Sequence, residues 1–198
     1  MAPHKVDVFI TGAGPVGLVS AYQLARLGHS VCIIDAANKA SPDFPMYGRA
    51  STLHSRTLEM LDQLDLYDDM AQVGLGSKRS FTYRNGRLVQ GRGWDTLIGQ
   101  GKTFFDFMLN IRLKYSEDIF REKLLGMGVE VNAPVKLVDF SIDKDQDHDR
   151  RVHAQTVDAS GTTIQVDARY IIGSDGGGST VRKTAGIPFN GERKVTHW

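Results

Sequence analysis

A glycine-rich turn between an apolar run and a helical pattern constrains this chain more than any other feature. The turn is GAGPVG, at residues 12–17. The run before it, residues 8–11, is β-branched and apolar without alternation, which is typical of a buried parallel strand. The stretch after the turn predicts a helix that ends at Gly28, and residues 31–34 predict a second strand. This order of elements predicts a Rossmann-like βαβ unit.

Each glycine of the turn has a role that a side chain would prevent. Gly12 allows the tight turn out of the strand, Gly14 lets a pyrophosphate approach the backbone, and Gly17 lets the helix pack close to the strand. Pro15 suits an early helical position, because its missing N–H would be unpaired there. The start of the helix, which includes Val16, directs unpaired N–H groups and the positive end of its dipole at the phosphates.

An acidic residue completes the unit. Asp35 follows the second strand, 23 residues after Gly12, where a carboxylate can accept hydrogen bonds from a ribose diol. The same carboxylate would repel an adenosine 2′-phosphate, which favours FAD or NAD over NADP at this site. A glycine-rich strand–helix turn can be purely structural, so dinucleotide binding is predicted from the order of all four parts together.

Composition excludes several classes of protein. The 198 residues are 41% apolar and 24% charged, as in an ordinary globular protein, and the net charge of +1 argues against a nucleic-acid or anionic-membrane partner. The only cysteine, Cys32, excludes an intrachain disulfide and is expected to pack inertly. No metal site is predicted, since the spacing around His148 matches no metal loop. No apolar run has the length of a membrane span, and a cytoplasmic location is expected.

The rest of the sequence predicts both helices and strands. A core-facing helix is predicted from Leu58, Leu61 and Leu64, a hairpin at 78–90 around Asn85-Gly86, a strand at 103–110, a helix beginning at Ser116, a short strand at 129–131, and a β-meander at 135–142, 152–157 and 163–166. Aromatic residues could line a pocket, although core packing is more usual for them on strands: Trp94, Phe104, Phe105 and Phe107.

A second glycine-rich turn lies near the end of the chain. A buried-type strand at residues 170–173 precedes Asp175, three glycines and Ser179, which is a natural N-cap for a helix. A carboxylate in this place can hold a ribose or ribityl hydroxyl. The alternative is an ordinary strand–turn–helix in which Asp175 serves the turn.

Three separate motifs, in order along nearly the whole chain, resemble the single-component FAD-dependent aromatic hydroxylases, the family of para-hydroxybenzoate hydroxylase and phenol 2-monooxygenase. The motifs are GAGPVGL near the start, Gly48-Arg49-Ala50 before Arg56-Thr-Leu-Glu59, and the segment from Asp175-Gly176 through Ser179 and Arg182 to Ile187–Gly191. The resemblance implies an α/β fold: a Rossmann-like FAD-binding domain of glutathione-reductase type, with a β-meander and an incomplete β-rich substrate region.

The resemblance also implies a domain division. Residues 1–76 and 111–187 would form two segments of the FAD-binding domain, and residues 77–110 a segment of the substrate domain. Residues 188–198 would begin a truncated substrate domain, because the family's later Gly-Asp motif does not follow. A fragment, or a chain completed by a partner, is therefore expected. Whether the chain forms a homodimer is left open.

The resemblance assigns FAD to named residues. Asp35, where the family more often has Glu, would hold the adenosine ribose; residues 12–17 would hold the diphosphate, and Arg49 would lie near the phosphate–ribityl arm. Asp175 and Gly176 are implied in handling both FAD and NAD(P)H. A further departure concerns a flavin-contacting Gln of the family: Leu113 occupies its place, so either Arg112 substitutes for the Gln or the contact is missing.

The implied activity is hydroxylation of a phenolic or other aromatic substrate. NAD(P)H, a transient co-substrate, would reduce FAD, and the reduced flavin would transfer oxygen from O₂ as a C4a-hydroperoxide. No protein residue is assigned a catalytic role; His54 could deprotonate a phenol, but a surface or packing histidine is the simpler interpretation. Two alternatives are a truncated, non-catalytic flavoprotein and an NAD-dependent dehydrogenase, the latter disfavoured by the loop after Asp35.

Overall fold

The chain forms two compact units in a computed structural model. Unit 1 comprises residues 1–41 and 123–198, and unit 2 comprises residues 42–122. The division into cofactor and substrate domains at residues 76 and 110 remains a prediction. The structure describes residues 4–45, 52–78, 81–89, 102–143 and 149–191, so most of the predicted segment 188–198 lies outside it.

The helices and strands are, in chain order, β1 (His4–Thr11), α1 (Pro15–Arg26), β2 (Val31–Ile34), β3 (Thr52–Leu53), α2 (Ser55–Gln63), α3 (Tyr67–Val73), β4 (Leu75–Ser77), β5 (Thr82–Arg84), β6 (Arg87–Val89), β7 (Met108–Asn110), α4 (Leu113–Gly126), β8 (Val131–Asn132), β9 (Val135–Ile142), β10 (Val152–Asp158), β11 (Thr163–Gly173) and α5 (Thr180–Thr184).

Unit 1 is built on a six-stranded sheet in the order β8-β2-β1-β11-β10-β9. Strands β8, β2, β1 and β11 run parallel, and β10 and β9 continue antiparallel as a meander. The predicted βαβ unit is present, with Leu18 and Ala21 of α1 fully buried. The α/β class and the parallel sheet with a meander are therefore confirmed. One core cluster of the unit consists of Val6, Phe9, Cys32, Ile34, Val152, Ala154, Val166 and Ala168.

The predicted break between residues 166 and 170 is wrong, because β11 is one continuous strand of 11 residues. Ala168, in the middle, is buried between Val6 on β1 and Val152 on β10. Its two polar neighbours form ion pairs: Asp167 with His153, and Arg169 with Asp7 and Asp149. One strand therefore belongs to both the meander and the parallel sheet.

Unit 2 contains a three-stranded sheet in the order β3-β7-β4 and a separate hairpin of β5 and β6. The predicted helix is confirmed, with Leu58, Leu61 and Leu64 buried. The type I′ turn is also confirmed, because Asn85 and Gly86 both have positive φ, +50° and +74°.

Two predictions in this part of the chain are wrong. The strand predicted at 103–110 is reduced to β7, because Phe105 and Phe107 pack their rings with Tyr67 rather than continuing a ladder. Helix α4 begins at Leu113, three residues before Ser116. Ser116 is buried inside its first turn and its N–H donates to the carbonyl of Arg112, so it is not the N-cap.

A histidine between two carboxylates joins the three strands of the meander. Nδ1 of His153 lies 2.8 Å from Oδ1 of Asp167, and Nε2 lies 3.1 Å from Oδ2 of Asp143. The hydrogen bond to Asp167 is the main cause that raises the pKa of His153 above its ordinary 6.5; Asp143 adds to it and burial opposes it. The folded-state pKa is thus above the unfolded one, so the contribution to stability is complete below 6.5 and is lost as pH rises through the folded-state pKa.

We expect the stability advantage of the wild-type protein over His153→Gln to decrease as pH rises from about 6 to about 8. Glutamine keeps hydrogen bonding but cannot be protonated in this range. Urea unfolding of both proteins at the two pH values measures the difference, and an NMR titration of the ring gives the pKa. An advantage that does not change with pH would show that protonation of His153 does not stabilise the meander.

Candidate cofactor site

The two glycine-rich turns lie side by side at one edge of the sheet in unit 1. Strand β1 lies between β2 and β11, and all three run parallel. Their carboxyl ends therefore meet at the same edge, which is where open α/β sheets bind ligands. Asp35 follows β2, Gly12 follows β1 and Asp175 follows β11, so the two predicted acids flank the turn between them.

The turn after β1 has no room for side chains at two of its glycines. Gly12 has a φ of +91°, and a Cβ there would lie 2.4 Å from the carbonyl oxygen of Ser174. A Cβ on Gly17 would lie 1.9 Å from the carbonyl oxygen of Gly12 and 2.6 Å from Oγ of Ser174. The tight turn and the close helix–strand approach predicted from the sequence are therefore both present.

Ser174 was not among the residues predicted from the sequence, yet it connects the two turns. Its N–H donates to the carbonyl oxygen of Thr11 at 2.8 Å, and its hydroxyl lies 2.7 Å from that oxygen and 2.8 Å from the carbonyl oxygen of Gly12. These bonds set the direction of the peptide groups that lead into α1. No periodic pattern marks a serine for this role, because its partners lie more than 160 residues away.

The N-terminus of α1 has no side-chain cap. Its N-cap is Gly14, with φ −82° and ψ −175°, and neither a capping side chain nor an acidic residue satisfies the first turn. The first helical hydrogen bond runs from the N–H of Leu18 to the carbonyl of Gly14 at 2.9 Å. The N–H groups of Gly14, Val16 and Gly17 precede it and have no acceptor within the helix. Pro15, between them, has no N–H. This end of the helix is suited to an anion.

The carboxylate of Asp35 is buried at the same edge and is held by three donors. Oδ2 accepts from the N–H of Ala13 at 2.8 Å and from Nζ of Lys39 at 3.0 Å, and Oδ1 accepts from the N–H of Ala37 at 2.9 Å. The bond from Ala13 ties the acid directly to the glycine-rich turn. Lys39 was not predicted from the sequence, because a lysine in an irregular loop gives no signal of its own.

A profile described as FAD binding domain matches residues 5–198. The chain belongs to this family. Among its relatives, 6-methylpretetramide 4-monooxygenase of Streptomyces rimosus is 34% identical over 98% of this chain and 33% of its own length. Para-nitrophenol 4-monooxygenase of a Pseudomonas species is 30% identical over 93% of this chain and 43% of its own length.

Solved structures agree with the sequence comparison. The p-nitrophenol 4-monooxygenase of Pseudomonas putida superposes with a TM-score of 0.80 at 27% identity, covering 96% of this chain and 46% of that one. The predicted family, FAD-dependent aromatic monooxygenases, and the predicted cofactor, FAD, are confirmed. The chain spans between a third and a half of the length of these relatives.

The FAD binding domain has features at this edge that fit the cofactor. The open start of α1 suits a diphosphate, and the buried acid beside it suits a ribose. Oγ1 of Thr11, the residue before the turn, is the one buried side-chain polar atom without a hydrogen-bond partner among the described residues. A buried hydroxyl that lacks a partner is unusual, and it fits a site in which a ligand or its water supplies one.

The second predicted acid, Asp175, forms hydrogen bonds within its own turn. Asp175 accepts hydrogen bonds from the hydroxyl of Ser179 and from the N–H groups of Thr180 and Val181, at the start of α5. Ser179 is the N-cap, as predicted, since its hydroxyl accepts from the N–H of Arg182. Gly176 has a φ of +79°. The structural role that was the alternative for Asp175 is thus present, and its contact with FAD remains a prediction.

The other predicted residues are placed as follows. Arg49 and His148 lie outside the described residues. Arg112 is exposed in unit 2, and its carbonyl accepts from the first turn of α4; its flavin contact remains a prediction. Cys32 is buried, which raises the pKa of its thiol to about 11 and makes it inert, as expected.

The described residues contain no helix with the length and apolarity needed to cross a membrane. They also contain no group of three or more His, Cys, Asp or Glu side chains arranged to hold a metal ion.

Proposed function

We propose that this chain is the FAD-holding part of a monooxygenase that hydroxylates a phenolic or polycyclic aromatic substrate with NAD(P)H and O₂. The observation that carries the proposal is the hydrogen bond from the N–H of Ala13 to Oδ2 of Asp35. This bond holds an acid suited to ribose binding beside the N-terminus of α1, which no side chain caps. The names of the relatives, monooxygenases of aromatic compounds, supply the reaction class.

The chain's own residues bind and orient. The N–H groups of Gly14, Val16 and Gly17 would donate to the diphosphate, and Asp35 would accept from the ribose. Arg49 would add a charged hydrogen bond to the phosphate–ribityl arm, with Arg112, Asp175 and Gly176 nearer the flavin. Bound FAD supplies the redox chemistry, the acceptance of a hydride and the activation of O₂, so no acid–base constellation of the protein is required.

The purified chain tests the proposal. It should bind FAD with the absorbance of a protein-bound flavin, and NADPH or NADH oxidation stimulated by phenols would establish the activity. Flavin binding without such oxidation would identify a non-catalytic or partner-completed flavoprotein. NAD binding without FAD would identify a dehydrogenase-type domain instead. A cytoplasmic location, a homodimer and a completing partner chain remain predictions.

Arg49→Ala is expected to weaken FAD binding by about 1.5–3 kcal/mol, because a hydrogen bond to a charged group is lost. Quenching of flavin fluorescence gives the dissociation constant. The matched control is Arg84→Ala, which removes an exposed arginine from the β5–β6 hairpin and should leave the constant unchanged. If the two variants bind FAD equally well, Arg49 does not belong to the site.

A further inference from the structure

One peptide group, between Gly12 and Ala13, is hydrogen-bonded at both of its ends. Its carbonyl oxygen accepts from the hydroxyl of Ser174 at 2.8 Å, and its N–H donates to Oδ2 of Asp35 at 2.8 Å. Ser174, Gly12 and Asp35 follow β11, β1 and β2, which are adjacent strands of the parallel sheet. A continuous chain of hydrogen bonds therefore runs along the carboxyl edge of the sheet, from the second glycine-rich turn to the acid after β2.

The backbone of Gly12 does not fix this peptide group by itself. Glycine has no Cβ and reaches many backbone conformations, and Gly12 has a φ of +91°, which other residues rarely adopt. A peptide group is planar, so its C=O and its N–H point in opposite directions and turn together. A hydrogen bond that holds the carbonyl oxygen of Gly12 therefore also sets the direction of the N–H of Ala13.

The hydroxyl of Ser174 is suited to hold this carbonyl. It lies 2.8 Å from the carbonyl oxygen of Gly12 and 2.7 Å from that of Thr11, and a hydroxyl has one hydrogen to donate. The oxygen of Thr11 already accepts from the N–H of Ser174 at 2.8 Å. The hydroxyl therefore has its greater effect on Gly12, whose peptide group could turn more freely without it.

The other end of the chain of hydrogen bonds is the buried carboxylate of Asp35. Two of its three donors, Ala37 and Lys39, belong to the same loop after β2. The third, the N–H of Ala13, is the only one of the three that belongs to the turn leading into α1. The direction of this N–H therefore decides where the carboxylate lies relative to the start of the helix.

We propose that Ser174 is a positioning residue for the cofactor, which acts on Asp35 through the peptide group of Gly12 and Ala13. This role requires no contact between Ser174 and FAD. The inference rests on the proposed function, because it needs Asp35 to take part in FAD binding. It adds that a side chain from the second glycine-rich turn sets the affinity at the first.

A double-mutant cycle in FAD affinity tests this route. Quenching of flavin fluorescence gives the dissociation constants of the wild type, Ser174→Ala, Asp35→Asn and the double variant. Ser174→Ala should bind FAD about tenfold more weakly than the wild type, because the hydrogen bond that directs the peptide group is lost. In the Asp35→Asn background the same substitution should change the constant by less than about twofold, since its effect passes through the carboxylate.

Ser30→Ala is the matched control. It also removes a hydrogen-bonded serine hydroxyl from unit 1, because Oγ of Ser30 donates to Oδ2 of Asp7 at 2.6 Å. Ser30 directly precedes β2, at the opposite edge of the sheet, so this variant should bind FAD like the wild type. Urea unfolding of both variants compares their stabilities, so that a loss of affinity is not mistaken for a general loss of stability.

Hydrogen exchange at the amide of Ala13, followed by NMR in the purified chain, tests the first step of the route. Ser174→Ala should exchange this hydrogen about tenfold faster than the wild type, because the peptide group is no longer held at its carbonyl end. Ser30→Ala should exchange it at the wild-type rate. This measurement does not depend on how tightly Asp35→Asn binds FAD.

The outcomes separate this inference from the proposed function. An unchanged FAD constant in Ser174→Ala, an equal loss with and without Asp35, or an unchanged exchange rate at Ala13 would each overturn the inference alone. A wild-type chain that binds no FAD overturns the proposed function, and with it the role of Ser174 toward the cofactor. A loss of affinity that requires Asp35, together with faster exchange at Ala13, supports the inference.

Discussion

Gly14→Val is expected to abolish FAD retention while the protein remains folded. Gly14 has an extended backbone, with φ −82° and ψ −175°, which any residue adopts. Valine therefore brings no backbone strain of the kind expected at Gly12. Its side chain would stand at the N-cap of α1, where the diphosphate has to approach the N–H groups. We expect FAD binding to weaken by more than about 3 kcal/mol, which is over 100-fold.

Flavin absorbance after purification and a fluorescence titration measure this loss, and circular dichroism measures the fold. Gly126→Val is the matched control, because it adds the same side chain at the end of α4, where nothing lies within 4 Å of the new Cβ. The control should retain flavin. Gly14→Val with wild-type flavin occupancy would mean that the diphosphate lies elsewhere.

Gly17→Ala is expected to affect stability and binding together. The new methyl group would lie 1.9 Å from the carbonyl oxygen of Gly12 and 2.6 Å from Oγ of Ser174. The first of these is backbone, so α1 has to move away from β1 to make room. Overpacking of this kind costs about 3 kcal/mol or more in the free energy of unfolding. The moved helix would also carry its N–H groups away from the cofactor.

Urea unfolding and flavin titration of the same preparation test both expectations. Gly126→Ala adds an identical methyl group in open space and is expected to change the unfolding free energy by under about 1 kcal/mol. If Gly17→Ala is as stable as the wild type, helix and strand do not need the close approach described above. The contrast with Gly14→Val separates a glycine needed by the ligand from one needed by the fold.

Local patterns were sufficient for much of the fold. The βαβ unit follows from glycine chemistry and hydrophobic periodicity within 30 residues, and the structure contains it, with Leu18 and Ala21 of α1 buried. The hairpin follows from Asn85-Gly86, because few other dipeptides accept two positive φ values in succession. Patterns failed where packing overrides propensity. The helix predicted to begin at Ser116 begins at Leu113, and Ser116 is buried in its first turn.

Local sequence patterns also predicted only part of the cofactor site. The sequence by itself determined that a dinucleotide-type turn, Gly12 to Gly17, precedes an acid at residue 35, because those features lie within one supersecondary unit. Only the tertiary structure decided that Ser174, which follows a strand distant in sequence, supports this turn, that β11 runs unbroken past Ala168, and that Lys39 is paired with Asp35. Contacts between distant strands, and the direction of a loop side chain, depend on how the whole sheet is assembled, and no short stretch of sequence encodes them.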